Sequence, residues 1–212
     1  MCVNGASYYI TTLNKLMKYA VILFFVLIIS QFSFTQIDIQ TVKVDIEASV
    51  VEWKASKVLG KHNGTLELKS GNLEFADGEL SGGVFLLDMT SIQCTDLEGE
   101  YKDKLEGHLK SADFFGVKEF PTANFLIKNV YSRGTPGDYK IVGDVTIKGV
   151  TKEIKFNTLI ADDIAKATIT LDRTDYDVRY GSGTFFSNLG DKSIHDNFDL
   201  DVKIIYGEVK EN

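Results

Sequence analysis

Cysteine is nearly missing from this chain, with two among 212 residues. Cys2 precedes an N-terminal apolar run, so once that run is removed only Cys94 is left and no intramolecular disulfide can form, even in an oxidising compartment. Stability must then come from a hydrophobic core. No base stands near Cys94 in sequence, and we read it as a quietly buried thiol, not a nucleophile. Histidine is equally scarce, at three. His62, His108 and His195 give no H-x-x-x-H or H-E-x-x-H spacing, and Cys-x-x-Cys is missing too, so no metal site is expected. A Gly-x-Ser-x-Gly elbow and a Walker-type phosphate loop are both lacking. The serine of Gly181-Ser182-Gly183 has no base nearby in sequence. Basic charge is not in excess either: the formal net charge is -7. That argues against nucleic acid, or an anionic membrane, as an electrostatic partner.

Long apolar runs are confined to the N-terminus. Met17-Lys18 is followed by an apolar stretch from Tyr19 to Ile29 and then by Ser33-Phe34-Thr35-Gln36. The small residues Ser33 and Thr35 suit cleavage before Gln36. The stretch is short for a spanning helix, which needs roughly 20 residues. We read 1–35 as an upstream extension plus signal peptide, with Met17 a second candidate start, and 36–212 as one domain, periplasmic or extracellular after cleavage near Thr35-Gln36. The alternative, a retained anchor, has no charged stop-transfer pattern behind it. Lys15 and Lys18 leave with the leader while no acid does, which takes the net charge from -7 to -9.

Beyond the leader the dominant period is two. Phe198, Leu200, Val202, Ile204 and Tyr206 alternate with Asp199, Asp201 and Lys203. Ala167, Ile169 and Leu171 repeat the pattern, as do Ile154 and Phe156, and Val51, Trp53 and Ala55. Such alternation marks half-buried antiparallel strands, not the continuous apolar runs of a parallel sheet. Turn chemistry is expected at Asn63-Gly64, Ser70-Gly71-Asn72, Asp77-Gly78, Pro136-Gly137-Asp138 and Lys148-Gly149. Asn63-Gly64-Thr65 also matches a glycosylation sequon, but a hairpin explains it more simply. Many short strands with turns between them mean a sandwich or a barrel. One segment breaks the rhythm: Leu97, Tyr101, Leu105 and Leu109 fall every fourth residue among charged ones, which predicts an amphipathic helix with Thr95 or Asp96 as its cap. Gly107 weakens that helix, and Pro121 ends the aromatic hinge of Phe114, Phe115 and Phe120 that follows.

Two blocks carry more than periodicity. H-L-K-S-A-D-F-F-G-V-K-E-F-P-T-A-N-F, from His108 to Phe125, joins the helix to a strand, and G-D-V-T-I-K-G-V-T-K, from Gly143 to Lys152, reads as strand, turn and strand. Together they resemble the YceI-like family of secreted, lipocalin-shaped proteins that bind polyisoprenoid or other long-chain lipids. Ser91-Ile92 is similar to that family's serine-isoleucine step, and Asp172-Arg173-Thr174-Asp175-Tyr176 to its late arginine-containing motif. The likeness runs from about Val42 to Tyr206. It departs before the His-Leu step, where the family often carries an Arg-Asp pair and this chain has Lys104 to Gly107 with Leu105-Glu106 between. The resemblance implies an all-β fold, an eight-stranded antiparallel lipocalin-like barrel with one inserted amphipathic helix, and an activity of holding an isoprenoid-like or acyl chain inside.

An eight-stranded barrel either fills with side chains or holds one small ligand. Ten of the 14 Phe and six of the 9 Tyr, with the single Trp, lie beyond residue 35. Strand parity directs Trp53, Phe75, Phe85, Leu87, Phe125, Ile154, Phe156, Ile169 and Phe198 inward as candidate lipid contacts, with Leu105, Leu109, Phe114 and Phe115 at the lid. Arg173 and His108 are candidates for a head group. Their structural alternatives are pairing of Arg173 with Asp172 or Asp175, and capping of the helix end by His108. The expected partner is a long-chain lipid, with no cofactor besides it; an isoprenoid or isoprenoid quinone is among the candidates. Membrane contact is expected only for lipid exchange, and association of two barrels into a homodimer is left open. A non-catalytic surface or stress protein with a filled barrel is the alternative reading, and an enzyme acting on a bound lipid has the weakest support.

Overall fold

The computed structural model describes Leu13, Lys15, residues 17–19 and residues 36–207. Most of the expected signal peptide, with the cleavage side of Thr35, lies outside them. Among the described residues no helix is long and apolar enough to cross a membrane. The chain from Asp38 onward forms one unit. It holds β1 (Ile39–Lys57), β2 (Gly60–Ala76), β3 (Glu79–Cys94), α1 (Gly99–Lys110), β4 (Thr122–Ser132), β5 (Asp138–Ile147), β6 (Val150–Ala161), β7 (Ile164–Asp172) and β8 (Ile194–Tyr206).

Each strand pairs antiparallel with the next, and β8 pairs back onto β1 from Val44↔Tyr206 to Lys57↔Ile194, so the sheet closes into an eight-stranded barrel. Closure removes every strand edge and decides between sandwich and barrel. The connections divide unequally between the two poles. The β2–β3, β4–β5 and β6–β7 turns and the ends of the barrel chain, Asp38 and Tyr206, gather at one pole. The other pole carries the β1–β2 and β5–β6 turns, α1 with its hinge, and the long β7–β8 segment.

Alternation works where the ladder is regular. Val51, Trp53 and Ala55 face in, as do Ile154 and Phe156, Ala167, Ile169 and Leu171, and Phe198 through Tyr206. Elsewhere bulges reverse the parity. In β2 the buried positions pass from Leu66 and Leu68 to Gly71 and Leu73, across a register shift between Leu68 and Ser70. β3 and β4 contain similar shifts. An inserted residue swaps the faces of everything after it.

Three turns are where the sequence puts them: Asp77-Gly78, Pro136-Gly137 and Lys148-Gly149, the first and last with two consecutive positive φ angles. Asn63-Gly64 and Ser70-Gly71-Asn72 are not turns. Both lie inside β2, and the β1–β2 hairpin turns at Val58-Leu59 instead. Gly64 is there for space: a Cβ would sit 1.7 Å from the Gln93 carbonyl and 2.7 Å from the Trp53 ring. The indole of Trp53 crosses β2 at this gap and its Nε1–H donates to Gln93 O at 3.0 Å. A second unforeseen turn is Asp162-Asp163, with φ of 51° and 60°.

The helix forms, two residues later than its apolar pattern begins. Glu98 occupies the N-cap with no side-chain hydrogen bond. Thr95 and Asp96 are not caps, because both turn back to the strands: Asn63 Nδ2 donates to Thr95 Oγ1 and Asn63 N to Asp96 Oδ1. Leu109 is buried, and Leu97 and Leu105 are half-buried against the core, but Tyr101 is 76% exposed and leaves the inward stripe.

Candidate functional site

The barrel is hollow. A cavity of about 180 Å³ runs between the strands, with walls from all eight of them and from the hinge after α1. Its wall is apolar apart from Asn124, Thr158, Arg173 and His195. Phe85, Phe125 and Phe156 form a row across β3, β4 and β6, with centroids 6.2 Å and 5.6 Å apart. The row is built over Gly143 on the intervening β5, where a Cβ would sit 2.5 Å from the Phe125 ring. The first glycine of the G-D-V-T-I-K-G block therefore makes room for an aromatic ring. Its second, Gly149, takes a positive φ of 76° and lies under Phe120.

The two ends of the cavity differ. At the pole with the short turns, Phe75 packs on Tyr206 with centroids 5.4 Å apart, and the Tyr139 hydroxyl donates to Glu79. Burial, then that hydrogen bond, pushes the Tyr139 phenol above its ordinary range. These aromatics plug the pole. At the other, Leu109, Phe114 and Phe115 cover the opening, with the Phe114 and Phe115 rings edge to face at 4.9 Å. Lys148 Nζ ties this hinge down by donating to Ala112 O at 3.4 Å and Asp177 O at 3.2 Å.

Arg173 is buried, 3% exposed. Its Nε donates to His195 O, Nη1 to Val178 O and Tyr180 O, and Nη2 to Ile194 O and Asp196 Oδ1, all at 2.8–3.1 Å. All five N–H groups of the guanidinium are thus engaged within the protein. The ion-pair partner is Asp196, not the Asp172 or Asp175 considered from sequence; Asp172 accepts from Thr174 N and Asp175 meets Lys152. The other oxygen of Asp196 accepts from Ser182 Oγ at 2.9 Å and Thr184 Oγ1 at 2.7 Å. The Gly181-Ser182-Gly183 loop is thereby fastened to the start of β8, and the serine is structural. The face of the guanidinium lies 5.7 Å from the Phe114 ring centroid, its one approach to the lid.

Of the residues picked out by parity, Trp53, Phe85, Leu87, Phe125, Ile154, Phe156, Ile169 and Phe198 line the cavity, as do Leu109, Phe114 and Phe115 at the lid. Phe75 does not, because it sits in the plug below, and Leu105 does not, because it packs beneath α1 outside the lumen. His108 lies outside the wall as well: its ring packs edgewise on Tyr180 at 4.3 Å and Phe114 at 5.4 Å, and its Nε2 is buried without a hydrogen-bond partner. It is Ser111, not His108, that occupies the C-cap of α1. Sequence reasoning missed Leu73, which follows a bulge in β2, Leu80 and Met89, which border irregular stretches of β3, and the polar wall residues Asn124 and His195. No local signal marks these.

The model of the YceI-like domain matches residues 42–206. The chain belongs to the YceI-like domain family. Among curated relatives, UPF0312 proteins of Staphylococcus aureus strains USA300 and NCTC 8325 are 46% identical over 52 residues. That segment is 24% of this chain and spans 27% of the relatives' length. Among solved structures, Burkholderia cenocepacia BcnA superposes with a TM-score of 0.62 at 18% identity, covering 76% of this chain and 98% of its own. A polyisoprenoid binding domain from Saccharophagus degradans, implicated in plant cell wall breakdown, gives 0.57 at 15% identity, covering 78% and 97%. At such identities the likeness of this YceI-like chain to either structure is one of fold.

Proposed function

We propose that this YceI-like barrel holds a long-chain lipid, with an isoprenoid or acyl tail, in its lumen and serves as a secreted or periplasmic carrier. The carrying observation is the hollow interior, whose wall bears four polar side chains among dozens of apolar ones. The Saccharophagus degradans structure, a polyisoprenoid binding domain, is consistent with this reading. The cavity falls below the roughly 300–1,000 Å³ of pockets for drug-sized ligands, which favours a slim flexible tail over a fused-ring body. Each buried methylene contributes about 0.8 kcal/mol, so some ten of them supply on the order of 8 kcal/mol before the cost of association. Few polar contacts are then needed, and no catalytic group.

Entry at the α1 pole fits best, since the opposite pole is plugged by Phe75, Tyr139 and Tyr206. A head group emerging there would meet the solvent side of the hinge, not Arg173, whose donors are spent on the protein. His108 is left as a packing residue of the lid on the same grounds. The exposed Tyr180, Phe185 and Phe186 of the β7–β8 segment stand at this pole and would touch a lipid surface during exchange.

Organic extraction of the purified protein followed by mass spectrometry tests the reading. A stoichiometric long-chain lipid is expected, lost in Phe156→Asp, with the variant still folded by circular dichroism. Repeated absence of lipid, together with failure to take up added isoprenoid alcohol or fatty acid, would refute it. A changed lipid mass after incubation would point instead to an enzyme.

A further inference from the structure

Cys94 and Asp96 are near neighbours in the sequence, and the pairing of β2 with β3 brings His62, distant along the chain, beside them. Cys94 ends β3 opposite Gly64 of β2, His62 lies two residues before that glycine, and Asp96 follows β3 by two. The Cys94 thiol donates to Asp96 Oδ1 at 3.1 Å, and His62 Nδ1 lies 3.0 Å from Asp96 Oδ2. The three donor atoms fall within 4.8 Å of one another. From this geometry we propose that His62, Cys94 and Asp96 form a binding site for a thiophilic divalent cation, zinc by preference.

The donor set is one thiolate sulfur, one imidazole nitrogen and one carboxylate oxygen, each an ordinary zinc ligand. With bonds of about 2.0–2.3 Å, a tetrahedral zinc site sets its ligand atoms some 3.3–3.8 Å apart, so the short contacts to the two Asp96 oxygens would open slightly and the widest separation, within 4.8 Å, would close. A fourth position remains for water. The surroundings already hold the ligands: Asn63 N donates to Asp96 Oδ1 at 3.0 Å, and Cys94 N to Glu106 Oε1 of α1 at 2.9 Å. Glu106 is itself met by Lys102. Burial is graded, with Cys94 fully buried and the side chains of His62 and Asp96 27% and 28% exposed, so an ion has a way in from solvent.

A proton and a cation compete for the same donor atoms at this cluster. Burial and then the bond to Asp96 push the Cys94 thiol up, so it is protonated at neutral pH. Burial alone would raise Asp96, but the Asn63 N–H, the Cys94 thiol and His62 together hold it below the ordinary carboxylate range. Metal binding releases the thiol proton to solvent and moves the imidazole proton to Nε2, freeing the Nδ1 lone pair. A divalent ion with one thiolate and one carboxylate leaves no net charge at the partly buried site. None of the three residues lines the lipid cavity.

The test uses tag-free, reduced protein and cobalt(II) as a spectroscopic stand-in for zinc. One equivalent should give a near-ultraviolet thiolate-to-cobalt charge-transfer band and visible bands of four-coordinate cobalt, both erased by one equivalent of zinc. Cys94→Ser should lose the charge-transfer band. His62→Ala, at a partly exposed position where folding is little at risk, should weaken zinc by at least about tenfold in competition with a chromophoric chelator. A folded wild-type protein with no charge-transfer band at one equivalent overturns the proposal, as does zinc affinity unchanged in both His62→Ala and Asp96→Asn.

Discussion

Tyr176 shows what a single buried group does to this protein. It is 2% exposed, and burial, with Asp175 adding to it, pushes its phenol from the usual 10 up to about 12. The folded protein therefore keeps this proton between pH 10 and 12 while the unfolded chain loses it. Stability from this group is whole below pH 10 and disappears as the pH climbs through 12, a loss of about 2–3 kcal/mol. Urea midpoints measured from pH 9 to 12 should fall steeply in the wild type and less steeply in Tyr176→Phe. Arg173 and Gly64 teach the same lesson about legibility. The sequence marks both as unusual, an arginine in a recurring motif and a glycine after asparagine, but suggests a ligand contact for one and a turn for the other. What decides them is company the motif itself does not contain: the carbonyls of 178, 180, 194 and 195 for Arg173, and the indole of Trp53 on the neighbouring strand for Gly64. Spacing along the chain carries no trace of such neighbours.

Among the elements, regular strands were readable and irregular ones were not. In β6, in β7 and in β8 from Phe198 onward the period of two is unbroken, and their inward residues follow directly from alternation. In β2 and β3 a bulge costs the reader the register, because after one inserted residue the pattern continues on the opposite face. Leu73 in the cavity wall was lost that way. The helix was visible from its spacing, but its start was not. Thr95 and Asp96 look like caps, and the strands claim them first. Turns divide similarly. Asp77-Gly78 and Lys148-Gly149 carry a glycine at the second left-handed position, whereas Asp162-Asp163 makes the same kind of turn without one. A left-handed residue with a side chain is strained, aspartate less than most. Asp163→Gly should therefore raise stability by about 0.5–1 kcal/mol in urea titration; a lower midpoint would show that the carboxylate, not the φ angle, governs the turn.

For the whole molecule, closure and hollowness answer to different causes. Closure follows from eight antiparallel strands whose first and last find each other, and the two sequence blocks resembling the YceI-like family pointed to it before any coordinates. Hollowness was not readable, since the same aromatics could have met in the middle. What keeps them apart is where backbone lacks a side chain and where alanine stands in for something larger. Gly143 lets Phe125 lie along the wall, and Ala123, Ala165 and Ala167 leave the lumen wide where they face it.

The pairing of β8 with β1 also makes the order of the strands nearly arbitrary. Tyr206 lies opposite Val44, so a tether of about six to eight residues could bridge back to Asp38, at roughly 3.4 Å per residue. New termini could then open at the exposed Val58-Leu59 turn. A circularly permuted protein of this kind is expected to give an unchanged far-ultraviolet spectrum and to retain added lipid, which would make the barrel a ring with no obligatory first strand.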